Sequence, residues 1–98
     1  MAALVDPPLW PRHGRIWGHL VSDASLDELH AVARQAGIPE RGFDLDHYDV
    51  PAELYPRLRE LGVHEVGTRD LVRRLRASGL RVSAAERRSR PTHPHDLP

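Results

Sequence analysis

The chain has 98 residues, 40% hydrophobic and 29% charged, ordinary proportions for one small globular domain with a modest core. It has no cysteine, which excludes disulfides, thiolate metal sites and a cysteine nucleophile, and its 14 basic residues are all arginine, which excludes a Schiff-base or general-base lysine. Formal net charge is zero, but residues 1–53 carry four Arg against nine acidic residues, a net of −5, and residues 54–98 carry ten against five, a net of +5. That asymmetry either steers a polyanion to the C-terminal half or is balanced within the molecule. No apolar run approaches the ~20 residues of a membrane span, and residues 1–6 lack the basic and long apolar regions of a signal peptide, so a cytoplasmic location is expected.

Residues 2–5 read as a short apolar strand that ends at Asp6, where Pro7-Pro8 stops regular pairing. Residues 9–15 are then a loop of turn formers, with Trp10 either an exposed anchor or a lid over the core. Residues 16–21 form a second strand, apolar on both faces and therefore central: Ile16, Gly18 and Leu20 point one way, Trp17, His19 and Val21 the other. Ser25-Leu26-Asp27-Glu28 is a capping box opening a helix over 26–36, with a stripe of Leu26, Leu29, Ala33 and Ala36 and a cap at Gly37.

Residues 38–44 are irregular, with Phe43 as a core anchor. Residues 46–50 are a third strand. Pro51 can open the next helix, although Pro56 either kinks that helix or marks its start. Gly62 ends it. Residues 63–66 are a fourth strand, and Thr68 is the expected N-cap of a third helix, with Leu71, Val72 and Leu75 inward and Arg69, Arg73 and Arg76 in water. Gly79 closes that helix, and residues 80–82 can add an edge strand. The order gives a small single α/β domain over 1–82, about four short strands and three helices in a layered arrangement, followed by an Arg/Pro/His-containing disordered tail at 83–98.

Several of these pieces stand in a recognisable order: Val5-Asp6, Trp10-Pro11, Gly14-Arg15-Ile16-Trp17, His19-Leu20, Ser22-Asp23, Glu28-Leu29-His30, Phe43 and His47-Tyr48-Asp49. Together they resemble the domain-of-unknown-function 4031 family of small bacterial and phage proteins. The resemblance covers roughly residues 3–78 and stops before the Arg-rich tail. It implies membership and no particular activity. The first strand departs from the family, which often carries an aromatic where this chain has Ala3-Leu4, a matter of packing.

The densest polar stretch is residues 44–51, where His47-Tyr48-Asp49 lies between two helical patterns. His19, Asp23, His30, His47 and Asp49 are the candidate ligands for a divalent metal ion, and His19, Asp23, His47 and Asp49 the candidate catalytic groups. His30, Tyr48, Asp6 and Arg15 are the candidates for contacting a phosphate-containing ligand. If the first three strands ran parallel, Asp6, Asp23 and Asp49 would share one sheet edge, suited to metal-assisted phosphodiester hydrolysis. If the first two are antiparallel, that triad dissolves and a smaller set of His19, His30, His47 and Asp49 is left. The competing explanations are ordinary ones: Asp23 satisfying turn N–H groups, His30 half-buried in a helix stripe, and His47-Tyr48-Asp49 bracing a loop. A different class of function is nucleic-acid binding through Arg69, Arg73, Arg74, Arg76, Arg81, Arg87, Arg88 and Arg90, for which no aromatic residue is interleaved in the sequence. A third is a protein-interaction module without catalysis.

Overall fold

The computed structural model describes residues 2–83 and 85–86. Its centre is a mixed sheet of six strands, with β1 at Ala3–Val5, β2 at Trp10–Arg12, β3 at Arg15–Ser22, β4 at Phe43–Asp44, β5 at His47–Pro51 and β6 at His64–Glu65. The strand order is β4-β5-β3-β1-β6, and β2 pairs with β3. The long strand β3 is central, as its two apolar faces imply. It takes β1 antiparallel in the register Ala3↔Ser22 and Val5↔Leu20, and β5 antiparallel in the register His19↔Asp49 and Leu20↔Tyr48. Pro7-Pro8 interrupts the partner edge only briefly. Pairing resumes at Trp10↔Trp17 and ends at Arg12↔Arg15, so the stretch expected to be a loop is half of a hairpin. His13 and Gly14 form its two-residue turn, both with positive φ (52° and 73°), the backbone a type I′ turn requires.

The helices are α1 at Leu26–Ala36, α2 at Tyr55–Glu60 and α3 at Thr68–Ser78. Ser25 caps α1 by accepting from the Glu28 N–H at 3.0 Å. Glu28 does not complete the box. Its carboxylate takes the Ser22 hydroxyl at 2.6 Å, and the Ser22 oxygen accepts the Ser25 N–H in its place. Pro51 ends β5 rather than opening a helix. A single 3-10 turn follows, and α2 starts at Tyr55, so Pro56 sits in the first turn where its missing N–H costs nothing. Thr68 is not the cap of α3. Gly67, which has no side chain to accept a bond, holds that position, and the Thr68 hydroxyl donates to Asp6. Residues 80–82 add no strand; the Val82 N–H goes instead to the Asp46 carboxylate at 2.8 Å.

Alternation along the strands sorts the side chains onto two faces. Ala3, Val5, Leu20, Tyr48 and Val50 pack under α1 and α2 with Leu29, Ala33, Tyr55 and Leu58. Leu4 and Val21 pack under α3 with Leu71 and Leu75. The result is three layers, helix–sheet–helix, with the second helical layer covering only part of its face. No helix among the described residues is long and apolar enough to cross a membrane. The Arg87, Arg88 and Arg90 run and the expected disordered tail lie outside the described residues, apart from Ser83, Ala85 and Glu86.

One crossing point in the core admits no side chain. A Cβ on Gly18 would overlap the Tyr55 hydroxyl and lie 2.9 Å from the Asp6 carbonyl oxygen that this hydroxyl donates to. Gly18→Ala is therefore expected to lower stability by about 2–3 kcal/mol through overpacking, and Tyr55→Phe by about 1–2 kcal/mol through the unpaired carbonyl. Urea unfolding checks both; an unshifted midpoint for Gly18→Ala would contradict the close approach.

Candidate metal centre

The side of the sheet under α3 is apolar at one end and polar at the other. His19 on β3 and His47 and Asp49 on β5 point to it together, because the His19↔Asp49 pairing aligns the alternation of the two strands. Tyr48, between them, points to the opposite core and is 2% exposed. The His19 and His47 rings meet edge to face with centroids 5.2 Å apart. One ligand atom from each of His19, His47 and Asp49 lies within 4.8 Å of the others.

Each imidazole is held from behind by a buried carboxylate. Asp6 places Oδ2 2.9 Å from His19 Nδ1, while its Oδ1 accepts the His19 backbone N–H at 2.6 Å and Thr68 donates to Oδ2 at 2.9 Å. Burial works to raise the Asp6 pKa, but these hydrogen bonds outweigh it and hold the carboxyl below its ordinary value. Asp46 does the same for His47, with Oδ1 2.7 Å from Nδ1. The chain delivers Asp46 inward through an unusual turn: Leu45 has φ of 63°, and the Asp46 N–H reaches back to the Asp44 carbonyl at 2.7 Å. With both Nδ1 atoms engaged, Nε2 is the nitrogen each ring offers to the cluster. His47 Nε2 lies 3.3 Å from Asp49 Oδ1, a buried oxygen with no further hydrogen-bond partner among the described residues.

Burial alone would lower the His47 pKa, but its contacts with Asp46 and Asp49 outweigh it and raise the pKa to about 9. Asp49 is pushed up by burial and brought below its ordinary range by His47 and by Arg12, whose Nη2 is 3.2 Å from Oδ2. The Arg12 guanidinium also stacks 5.0 Å over the Trp17 ring, and Trp17 Nε1 donates to the Arg12 carbonyl, which fixes the hairpin beside the site. Trp10 covers His19 with ring centroids 4.0 Å apart. It is a lid over the imidazole rather than over the core. The groups open into a cavity of about 390 Å³ whose far wall is Leu71, Val72 and Leu75 of α3, with Arg81 at its rim.

The other sequence-derived candidates lie elsewhere. Because β1 runs antiparallel to β3, Asp6 stands opposite His19 while Asp23 lies at the other end, where it accepts the Ala2 N–H at 2.6 Å and pairs with Arg74 at 3.2 Å. The aspartate triad of a parallel sheet is therefore absent. His30 is on α1, across the sheet, with Nδ1 2.7 Å from the Tyr48 hydroxyl and its ring against Phe43. His30 and Tyr48 share a separate depression with Arg34 and Glu40. Arg15 is exposed and pairs with Glu53 at 3.6 Å, away from the cavity. Asp46, Trp10, Arg12, Thr68 and Arg81 join the site from outside the set of polar candidates. For Asp46 the signal was adjacency to His47 in a turn; Arg81 stood out only as part of the arginine run, and for Thr68 no local signal exists.

A helix–sheet–helix α/β domain with a paired His/Asp cluster on its half-covered face is thus the class this chain defines. The chain belongs to the family described as protein of unknown function (DUF4031), whose model matches residues 3–78. No curated protein and no solved structure matches it.

A His47 pKa raised from 6.5 to about 9 has a signed consequence for the metal-free chain. The stabilisation is fully present below about pH 6.5 and is lost as pH rises through about 9, with a total of roughly 3 kcal/mol. The difference in unfolding free energy between the wild type and His47→Asn, measured in chelator, is expected to shrink across that window. A difference that stays constant from pH 6 to 10 would contradict the ion cluster.

Proposed function

We propose that the chain binds a divalent transition-metal ion through His19 Nε2, His47 Nε2 and one Asp49 oxygen, and that the centre serves metal-assisted hydrolysis of a phosphoester. The observation that carries this reading is the convergence of the buried Asp49 Oδ1, whose near neighbour is His47 Nε2 at 3.3 Å, with two imidazoles whose other nitrogens are already fixed by carboxylates. Carboxylate–histidine–metal relays of this kind orient ligating rings and raise their basicity. Two imidazoles and one carboxylate suit zinc, manganese or ferrous iron and leave coordination positions open. Such ions hold nitrogen ligands at about 2.0–2.1 Å, so filling the site draws the three groups together. A bound ion replaces the proton that His47 otherwise keeps between Asp46 and Asp49.

The surroundings supply what hydrolysis needs besides the ion. The cavity is large enough for a substrate group, and Arg12 and Arg81 bring guanidinium donors to its edge for a phosphoryl oxygen. The ion would supply Lewis acidity and a water ionised near neutral pH.

Isothermal calorimetry with Zn²⁺ and Mn²⁺ tests the ligand set. One ion per chain is expected, with affinity at least about tenfold weaker in His19→Ala and Asp49→Ala. The loaded protein is then expected to hydrolyse an activated aryl phosphodiester, and the same variants to lose that turnover. Affinity unchanged by both substitutions, or no binding at millimolar ion, would overturn the assignment.

A further inference from the structure

The cavity at the His19–His47–Asp49 cluster is the middle of three adjoining depressions. On one side, a second depression of about 410 Å³ lies against α3 and shares Thr68 and Val72 with it. On the other, a third of about 360 Å³ lies between the β2–β3 hairpin and the segment before β4, and shares Arg12, Asp44 and Asp49. Arginine marks all three. Arg69, Arg73 and Arg76 lie in the first outer depression, Arg81 and Arg12 flank the centre, and Arg41 lies in the second outer one. These residues come from three distant parts of the sequence, so the track is a product of the fold.

We infer that this arginine-marked track is a binding surface for single-stranded nucleic acid, laid so that a phosphodiester passes over the His19–His47–Asp49 centre. The inference rests on the metal reading for its chemistry, but not for binding itself.

Charge and shape favour a flexible polyanionic strand over an isolated phosphate. Residues 69, 73 and 76 recur at helical spacing and cover about 10 Å of α3, more than one phosphate requires. Arg69 and Arg76 are exposed and have no carboxylate partner among the described residues, while Arg73 is paired with Asp70. Arg12 and Arg81 each hold a carboxylate through a single terminal nitrogen, which leaves further donors of each fork for phosphate. The acidic groups along the track are Asp44, Asp46, Asp49 and Asp70, of which Asp46 is buried and Asp49 is the residue assigned to the ion. Trp10 is 37% exposed at the central cavity, tilted 60° against His19, and offers an unstacked base its exposed side to lie against. A duplex keeps its bases stacked and cannot use that ring, so a single strand fits better.

Fluorescence anisotropy with labelled oligothymidylate and oligouridylate of about 15 nucleotides, in chelator and then with Zn²⁺, tests the inference on the full chain. Binding is expected to weaken as salt rises, and more tightly to either single strand than to a duplex of equal length; the two oligonucleotides decide between DNA and RNA. The triple variant Arg69→Gln/Arg73→Gln/Arg76→Gln is expected to bind at least about tenfold more weakly, with a salt slope shallower by about 2, since each single-strand phosphate contact contributes about 0.7. Trp10→Ala is expected to weaken binding without changing that slope. Equal binding by the triple variant, which would place the affinity in the Arg87–Arg90 region, overturns the inference, as does a preference for duplex. Zinc binding without oligonucleotide binding overturns the track and keeps the metal centre. Oligonucleotide binding without metal affinity keeps the track and removes the hydrolytic centre.

Discussion

The Asp6 carboxylate ties together more of this molecule than any apolar contact does. It is 2% exposed at the end of β1, where two prolines stop the chain from pairing. Its two oxygens take the His19 backbone N–H, the His19 imidazole and the Thr68 hydroxyl, and its own carbonyl takes the Tyr55 hydroxyl at 2.5 Å. One residue thereby joins β1 to β3, α2 and α3. A buried carboxylate is costly unless its lone pairs are satisfied, and here strand, helix and imidazole donors satisfy them. The same contacts orient His19. The interaction that sets how the layers meet also sets the direction of the first imidazole.

The two faces of the sheet divide the work that a chain of this size must do. The face under α1 and α2 is a filled core, with Leu20, Leu29, Val50 and Leu58 all at 1% exposure or less. The face under α3 is filled only around Leu4, Val21, Leu71 and Leu75. The strip beyond Val21 carries His19, His47 and Asp49, and α3 does not reach across it. Small domains have little apolar surface to spare, so leaving a strip of sheet polar and open is a real cost in burial. That cost is met in part by the clasp at Asp46, which holds residues 81–82 against the β4–β5 turn through the Val82 N–H and Arg81.

Local rules carried the sequence reading as far as local physics reaches. The bounds of α1 and the centrality of β3 both follow from periodicity and caps. Two of the departures share one cause, a distant partner that outcompeted a local one. Thr68 has the residue type of an N-cap, but it is the first residue of α3 and its hydroxyl donates to Asp6, 62 positions away in the chain. Residues 80–82 have the pattern of an edge strand, but Asp46 takes the Val82 N–H first. His30 lay two positions beyond the capping box with no way to tell which side of the sheet its helix would cover. The strand direction that separates Asp6 from Asp23 was undecidable from a connection of about ten residues, close to the minimum for a crossover.

Three of the buried or half-buried carboxylates at the site invite comparison. Asp6 and Asp46 each accept a backbone N–H, from His19 and from Val82, and the fold needs both bonds. Asp49 accepts no backbone N–H among the described residues. Its contacts are the His47 ring and the Arg12 side chain, both members of the same cluster. Replacing Asp6 or Asp46 by an apolar residue would strand a peptide group, whereas replacing Asp49 would strand only other charges that exist to face it. Asp49 is thus the one carboxylate of the three whose contacts are all with side chains of the cluster, the His47 ring through Oδ1 and the Arg12 guanidinium through Oδ2.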